Sequence, residues 1–265
     1  MKTLAAVVQL TSGADVAHNL SRVRALLDEA ARRGAGLAVL PENFAFMGEH
    51  ERDKFAVAEA IEENGPILGA MREAARAHGM AIVLGGFPEK ATDTHVHNTA
   101  IYLDAAGEVK ARYRKIHLFD VAIPDGATYR ESASVAAGSE PVVVGDIGLS
   151  VCYDVRFPEL YRELARRGAR ILTVPAAFTL HTGRDHWHVL LRARAVENLC
   201  WVLAAAQYGR HNAKRVTYGH SMIVDPWGVV LAEVGDHEGV AVAEIDYAHQ
   251  DKLRAELPAL GHRRL

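Results

Sequence analysis

The sequence predicts an α/β fold in which two sheets pack face to face and helices cover their outer surfaces. Three observations lead there. Short apolar runs without polar alternation, such as Leu37-Ala38-Val39-Leu40, read as strands buried on both faces. Helical periodicities closed by glycine stand between them. The alternation occurs in each half of the chain, so two similar layered units are expected to stack.

Taken in order, Leu4 to Leu10 reads as a buried strand. Val16, Leu20, Val23, Leu27 and Ala31 then recur at helical spacing, with Gly34 as the stop. Leu37 to Leu40 is a second buried strand, ended by Pro41. Pro66 opens a helix that Gly79 closes, and Met80 to Gly86 returns as a strand. Ile101 to Tyr113 reads as a hairpin around Asp104-Ala105-Ala106-Gly107, where glycine tolerates the positive φ of the turn. In the second half, Val142 to Val144 and Ile147 to Val151 are strands around Gly145-Asp146. A helix runs from Pro158 to Gly168, a strand from Ile171 to Val174, and a helix from Asp185 to Asn198. Trp201 to Ala206 is a strand, Ser221 to Val234 a hairpin around Asp225 to Gly228, and Val240 to Ile245 a last strand. A polar helix from Tyr247 to Leu257 and a basic tail, Leu260 to Leu265, complete the chain. No linker or short-period repeat interrupts it, so residues 1–265 read as a single domain.

Composition narrows the function. Of the 265 residues 49% are apolar, enough for a substantial core. The formal net charge is −3 with no basic stripe, which argues against nucleic acid as a partner. No apolar run approaches the ~18–20 residues that cross a bilayer, so no membrane partner is expected. Two cysteines, Cys152 and Cys200, make no disulfide framework and fit a reducing compartment. With no secretory h-region at the N-terminus, a cytoplasmic protein is the expectation.

Three residues emerge at strand ends, where open α/β sheets bind their ligands. Cys152 follows Ile147 to Val151 and precedes the helix at Pro158. Spacing alone supports an inert core cysteine and a nucleophile about equally. Cys200, inside Leu199-Cys200-Trp201-Val202, reads as core. Glu42 follows Pro41; taken singly it reads as a solvated loop carboxylate, since glutamates are mostly exposed. Lys115 closes Lys110-Ala111-Arg112-Tyr113-Arg114-Lys115 and singly reads as one more surface cation. Together they cover acyl transfer from an amide without a metal: a thiol nucleophile, a carboxylate base and a cation for the oxyanion, with the Tyr153 backbone N–H as a second donor.

At these residues the sequence resembles the nitrilase superfamily of carbon–nitrogen hydrolases. The matching motifs are Leu40-Pro41-Glu42-Asn43-Phe44, Tyr113-Arg114-Lys115-Ile116-His117-Leu118-Phe119-Asp120 and Val151-Cys152-Tyr153-Asp154-Val155-Arg156-Phe157-Pro158-Glu159, in the family's order. The resemblance extends over nearly the whole chain. It implies a four-layer α-β-β-α sandwich and a Glu42-Lys115-Cys152 triad. It also implies a second glutamate at Glu131, in Tyr129-Arg130-Glu131-Ser132, that positions substrate or orients Lys115. The residues alone leave Glu131 as a loop charge.

The segment from His186-Trp187 to Ala195 looks like members of the family that act on amides of 2-oxo acids, so a small-molecule amide of that class is the expected substrate. Arg210, Lys214 and Arg215 suit an anionic substrate tail, or form a solvated basic loop. Arg156 is a candidate for the substrate carboxylate, or else pairs with Glu159. Phe44, Tyr153 and Phe157 are candidate apolar walls, with core packing the alternative. The resemblance also implies a homodimer or higher homo-oligomer built through helices beside the Cys152 loop. Leu160 and Leu164 fit either core or that interface, and the tail from Gly261 to Leu265 could reach a partner.

Rival functions are weaker on the sequence. Fourteen histidines invite metal-assisted hydrolysis, and His95 and His97 can share a strand face. No third ligand stands at recognisable spacing, His186 and His188 diverge by about 200° on a helix, and there is no His-Glu-x-x-His helix. Neither a metal nor another cofactor is expected. A non-catalytic binding protein on the same fold would be expected to have lost one of the four polar residues. A true nitrilase would be expected to have a longer chain.

Overall fold

The structure is a computed structural model that describes residues 2–122 and 128–264. The first half gives strands β1 (Lys2–Gln9), β2 (Leu37–Val39), β3 (Ala81–Lys90), β4 (Val96–Leu103) and β5 (Val109–Arg114), with helices α1 (Val16–Arg32) and α2 (Pro66–His78). A small hairpin, β6 (Asp120–Ala122) and β7 (Thr128–Arg130), leads to β8 (Val142–Val144) and β9 (Ile147–Leu149). The second half continues with α3 (Pro158–Arg166), β10 (Ile171–Thr173), α4 (Leu180–Asn198), β11 (Trp201–Ala204), β12 (Tyr208–Arg210), β13 (Val216–Tyr218), β14 (Met222–Val224), β15 (Val230–Glu233), β16 (Gly239–Asp246) and α5 (Tyr247–Glu256).

The strands form two six-stranded sheets, ordered β16-β1-β2-β3-β4-β5 and β15-β14-β11-β10-β9-β8. In each, three central strands run parallel: β1, β2 and β3 in one, β9, β10 and β11 in the other. Antiparallel strands flank each trio. The side chains of β1 explain the stacking. Ala5 and Val7 point to one face and join Val39, Val83 and Leu149 in the core that includes the second sheet. Ala6 and Val8 point to the other and join Val23, Leu27, Ile67 and Met71 of α1 and α2. A strand buried on both faces needs an apolar residue at every position, hence its unbroken hydrophobicity. Leu160, Leu164, Trp187 and Leu191 of α3 and α4 cover the other side of the second sheet. The α-β-β-α sandwich expected from the resemblance is therefore the observed fold.

Local signals account for the helix ends. Asp15 caps α1 by accepting from the His18 N–H, Pro66 stands at the start of α2, and Gly79 closes α2 at φ +57°. Helix α4 starts at Leu180, five residues before the expected Asp185, because Thr179 supplies an N-cap that accepts from the Thr182 N–H. Gly183, inside α4, marks a close approach: a Cβ there would stand 2.3 Å from Tyr218 Cβ. The hairpin of β12 and β13 lies within a stretch the sequence presents as a basic loop. Leu160 and Leu164 are buried in the core, which decides between the two alternatives for that face. The tail forms a short 3-10 turn at Ala259–His262, mostly exposed. No helix among the described residues is long and apolar enough to cross a membrane.

Candidate active site

The C-terminal ends of the parallel trios meet at one end of the sandwich. Strand β2 finishes there, Pro41 offers no N–H to extend it, and Glu42 leaves the sheet. Beneath it, β3 carries Gly85 and Gly86 at an irregularity in its pairing with β4. Gly86 has φ +63°, and a Cβ on it would lie 2.7 Å from the Asn43 nitrogen and 2.8 Å from Glu42 Cγ. Only glycine lets the strand pass so close under the carboxylate.

Glu42 is 4% exposed, and both its oxygens are engaged. Oε2 accepts from the Ala177 N–H at 2.9 Å, and Oε1 accepts from Lys115 Nζ at 3.1 Å and Asn98 Nδ2 at 2.8 Å. Lys115 continues the β4–β5 pairing past Arg114, donating its N–H to the Asn98 carbonyl. Its ammonium is 2% exposed and also donates to Glu131, at 2.8 and 3.1 Å. Glu131 begins a 3-10 turn after β7 and accepts in addition from the Phe119 N–H and from the same Asn98 Nδ2, at 2.7 and 2.9 Å.

Cys152 sits where β9 gives way to a 3-10 turn, Cys152–Arg156. Its φ is +50°, a left-handed conformation uncommon outside glycine, and its N–H donates to the Pro175 carbonyl. Asp154, fully buried, holds this elbow. It accepts from the Val151 N–H, the Tyr113 hydroxyl, and the backbone N–H and Nδ1 of His117. The ring of His117 is in turn stacked on Phe157 at 3.7 Å.

The charges oppose ionisation of the sulfur. Two carboxylates surround one ammonium, so the cluster is net negative before the thiol loses a proton. Burial, and then the adjacent Glu42 carboxylate with which the thiol hydrogen-bonds, push the Cys152 thiol well above its usual range, against the pull of Lys115. Burial alone would discharge Lys115. The Glu131 and Glu42 carboxylates outweigh it and hold the ammonium well above its usual range. Burial likewise disfavours the Glu131 carboxylate, but Lys115, Asn98 and the Phe119 N–H keep its pKa below the usual carboxylate value. The resting site is a neutral thiol beside a fixed cation and two carboxylates. Attack on a carbonyl then requires the thiol proton to move to a base as the bond forms.

Glu42, Lys115, Glu131 and Cys152 line one cavity, with Tyr153 and Phe178 on its wall. Other expected site residues lie elsewhere. Phe44 is fully buried between the first sheet and its helices, because Asn43, at φ +60°, turns the chain and sends the next side chain into the core. Phe157 stacks on His117 outside the cavity. Arg156 pairs with neither a pocket nor Glu159: its guanidinium lies 5.0 Å from the Phe178 ring and 5.9 Å from the Tyr153 ring, and contacts His186 Nδ1 at 3.3 Å. It backs the wall rather than lining it.

Of the three basic residues, Arg210 is exposed and contacts the Ala213 carbonyl. Arg215 lines the cavity, and both Arg215 and Lys214 line an open trough that continues from it. Glu51, Lys54, Tyr129 and Arg215 belong to both spaces. Glu51 pairs with Lys54 at 2.9 Å and Arg215 at 3.3 Å, and these cations, against the effect of burial, hold its carboxyl below the usual range. Nothing in the spacing or motifs around them singles out Lys54 or Glu51. Asp154 carried a faint signal, as a buried acid within the Val151 to Phe157 motif, whereas Asn98 stands among His97 and Thr99 and carried none.

A family model for carbon–nitrogen hydrolases matches residues 4–255. The chain is 48% identical over 268 residues to a deaminated glutathione amidase of Synechocystis sp., covering 98% of this chain and 97% of that protein. Among solved structures, the Caenorhabditis elegans NitFhit protein superposes with a TM-score of 0.93 at 41% identity, over 99% of this chain and 65% of that one. Saccharomyces cerevisiae Nit3, a member of branch 10 of the nitrilase superfamily, superposes with a TM-score of 0.86 at 31% identity, over 100% and 97%. With the family match running almost from end to end, the chain belongs to the carbon–nitrogen hydrolases of the nitrilase superfamily and is a hydrolase of amide carbon–nitrogen bonds.

Proposed function

We propose that the whole chain acts as one carbon–nitrogen hydrolase domain that cleaves deaminated glutathione, at the amide joining its 2-oxoglutarate unit to cysteinylglycine, through a thioester on Cys152. The observation that carries this reading is the single cavity bounded by Cys152, Glu42, Lys115 and Glu131, which widens into a trough bearing Lys54 and Arg215.

In the first half-reaction the Cys152 sulfur attacks the amide carbonyl carbon while its proton passes to Glu42. The carbonyl π electrons move to oxygen, and the Lys115 ammonium stabilises that oxyanion; the Tyr153 N–H is the second donor. Collapse breaks the carbon–nitrogen bond, and the amine leaves with the proton from Glu42. Water then attacks the thioester, giving its proton to Glu42, and collapse releases 2-oxoglutarate and returns the proton to sulfur. Lys115 keeps its charge throughout because the Glu131 carboxylate holds it, joined by the oxyanion while Glu42 carries the proton, and Glu131 and Asn98 act as positioning groups.

In the trough Lys54, Lys214 and Arg215 carry three positive charges against the Glu49 and Glu51 carboxylates. The surplus suits a carboxylate at the far end of a long substrate. The test compares kcat/KM for deaminated glutathione with that for 2-oxoglutaramate, which lacks the dipeptide. The proposal expects the longer amide to be preferred, and Arg215→Ala to raise its KM while sparing 2-oxoglutaramate. Preference for 2-oxoglutaramate, unaffected by Arg215→Ala, would make the chain an omega-amidase instead.

The same proposal includes a homodimer through α4. Val189 and Val196 on that helix are 67% and 48% exposed, and Trp227, Val229 and Leu231 on the β14–β15 hairpin are also exposed. Such apolar exposure marks an association surface. A monomer in sedimentation at micromolar concentration would remove this part.

A further inference from the structure

Among the described residues, five other than glycine have positive φ: Asn43, Asn64, Cys152, Leu199 and His220. Two bound the amide cavity, and Asn64 and Leu199 each terminate a helical segment. His220 does neither. Strained backbone of this kind persists where the surroundings hold it, and it is enriched at functional sites. The surroundings of His220 are specific. Trp187 Nε1 donates to its carbonyl at 2.9 Å, and the Tyr218 ring stacks on its imidazole at 4.3 Å.

The strain aims the His220 ring at two other potential ligands. His220 Nδ1 lies 2.6 Å from Glu233 Oε1, and His188 Nε2, from α4, lies 3.0 Å from the same oxygen. One nitrogen from each histidine and one Glu233 oxygen all lie within 4.8 Å of one another. Metal bonds of about 2.0–2.2 Å at tetrahedral angles place ligand atoms about 3.3–3.5 Å apart, so small side-chain rotations suffice. The other ring nitrogen of His220, Nε2, faces Asp236 at 3.4 Å. A carboxylate that accepts from the far nitrogen would fix the tautomer that leaves the near nitrogen free to ligate, the usual outer-shell arrangement of a metal-bound histidine.

We propose that His188, His220 and Glu233 form a binding site for one divalent transition-metal cation of the zinc class, separate from the amide cavity. Two imidazoles and a carboxylate match that class in softness, and a fourth position open to water completes a tetrahedron. The ion takes the place of the contacts that now join both imidazoles to one carboxylate oxygen. It ties α4 to the β14–β15 hairpin. Residues 188, 220 and 233 are too far apart in sequence for any spacing motif to connect them.

The experiment is calorimetric titration of untagged Cys152→Ala protein with Zn²⁺, so that the active-site thiol cannot take the ion. One ion per chain with a micromolar Kd is expected, and His188→Gln and His220→Asn should each remove that binding. Asparagine tolerates left-handed φ, so the second change spares the backbone. Asp236→Asn, at a largely exposed side chain where misfolding is not at issue, should weaken binding about tenfold to a hundredfold. A rise in melting temperature with Zn²⁺, lost in the same variants, is the second readout. Only millimolar binding to the parent protein, or affinity unchanged in both His188→Gln and Asp236→Asn, would overturn the proposal.

Discussion

Replacing Lys115 with methionine tests the electrostatic design of the cavity. The ammonium holds Glu42 Oε1 and Glu131 Oε1 each at 3.1 Å, so the two carboxylate oxygens are within about 6 Å of each other. At an effective dielectric of about 20, two such charges repel by about 3 kcal/mol, a repulsion that the ammonium's attraction to both offsets in the parent. Without the ammonium, the attraction that helps hold the Glu131 carboxyl below its usual range is gone, so its pKa rises in the variant. The acid limb of kcat/KM against pH should therefore move up. In addition, loss of the oxyanion donor should lower kcat by about 10²–10³ at the pH optimum. The assay is ammonia or amine release from an amide substrate across pH 5 to 9, with circular dichroism to verify folding. An acid limb that stays in place, with kcat within about tenfold of the parent, would refute both the charge assignment and the role of Lys115.

Asn98→Ala removes the amide that donates to Glu42 and Glu131 at once. Each such bond to a charged group is worth about 1.5–3 kcal/mol, so kcat should fall tenfold or more with little change in KM, and Asn98→Asp should be worse because it adds a third carboxylate. The raised thiol pKa makes Cys152 slow to alkylate: iodoacetamide at neutral pH should react more slowly with it than with an unfolded cysteine peptide, and equal rates would contradict the neutral resting thiol. The sign for stability follows. The thiol titrates higher in the folded state, so its contribution is complete below the unfolded value of about 8.5 and is lost as pH rises towards the folded value. Urea denaturation at pH 7 and pH 10 measures this. Leu164→Ala should cost about 2–5 kcal/mol in the same assay without changing the sedimentation coefficient, since that side chain is buried within the protomer.

Much of this architecture is legible in the sequence because strands buried on both faces leave unbroken apolar runs, Pro41 ends one of them, and Gly79 and Pro158 mark helix ends. Glu42, Lys115 and Cys152 could be suspected for the same reason: each follows a strand end. What pairs with them could not be inferred from spacing. Asn98 reaches both glutamates only through the register of β4 against β3 and β5, and Gly85 and Gly86 signal that irregularity without revealing what it serves. Phe44 illustrates the converse, since adjacency to Glu42 suggested a wall and one left-handed residue reversed its direction. The early start of α4 was hidden because Gly183 resembles a helix breaker. Its purpose, contact with Tyr218, is tertiary. Lys54 and Arg215 meet around Glu51 from segments 161 residues apart, a proximity that only the folded chain provides.

The most direct test of the thioester mechanism is intact-protein and peptide mass spectrometry on enzyme quenched with acid within one turnover of deaminated glutathione. The account predicts a 2-oxoglutaryl group on the Cys152 peptide that appears and decays at rates compatible with turnover, with neither adduct nor turnover in Cys152→Ala. Steady product release by Cys152→Ala, or an acyl group found on another residue, would contradict it.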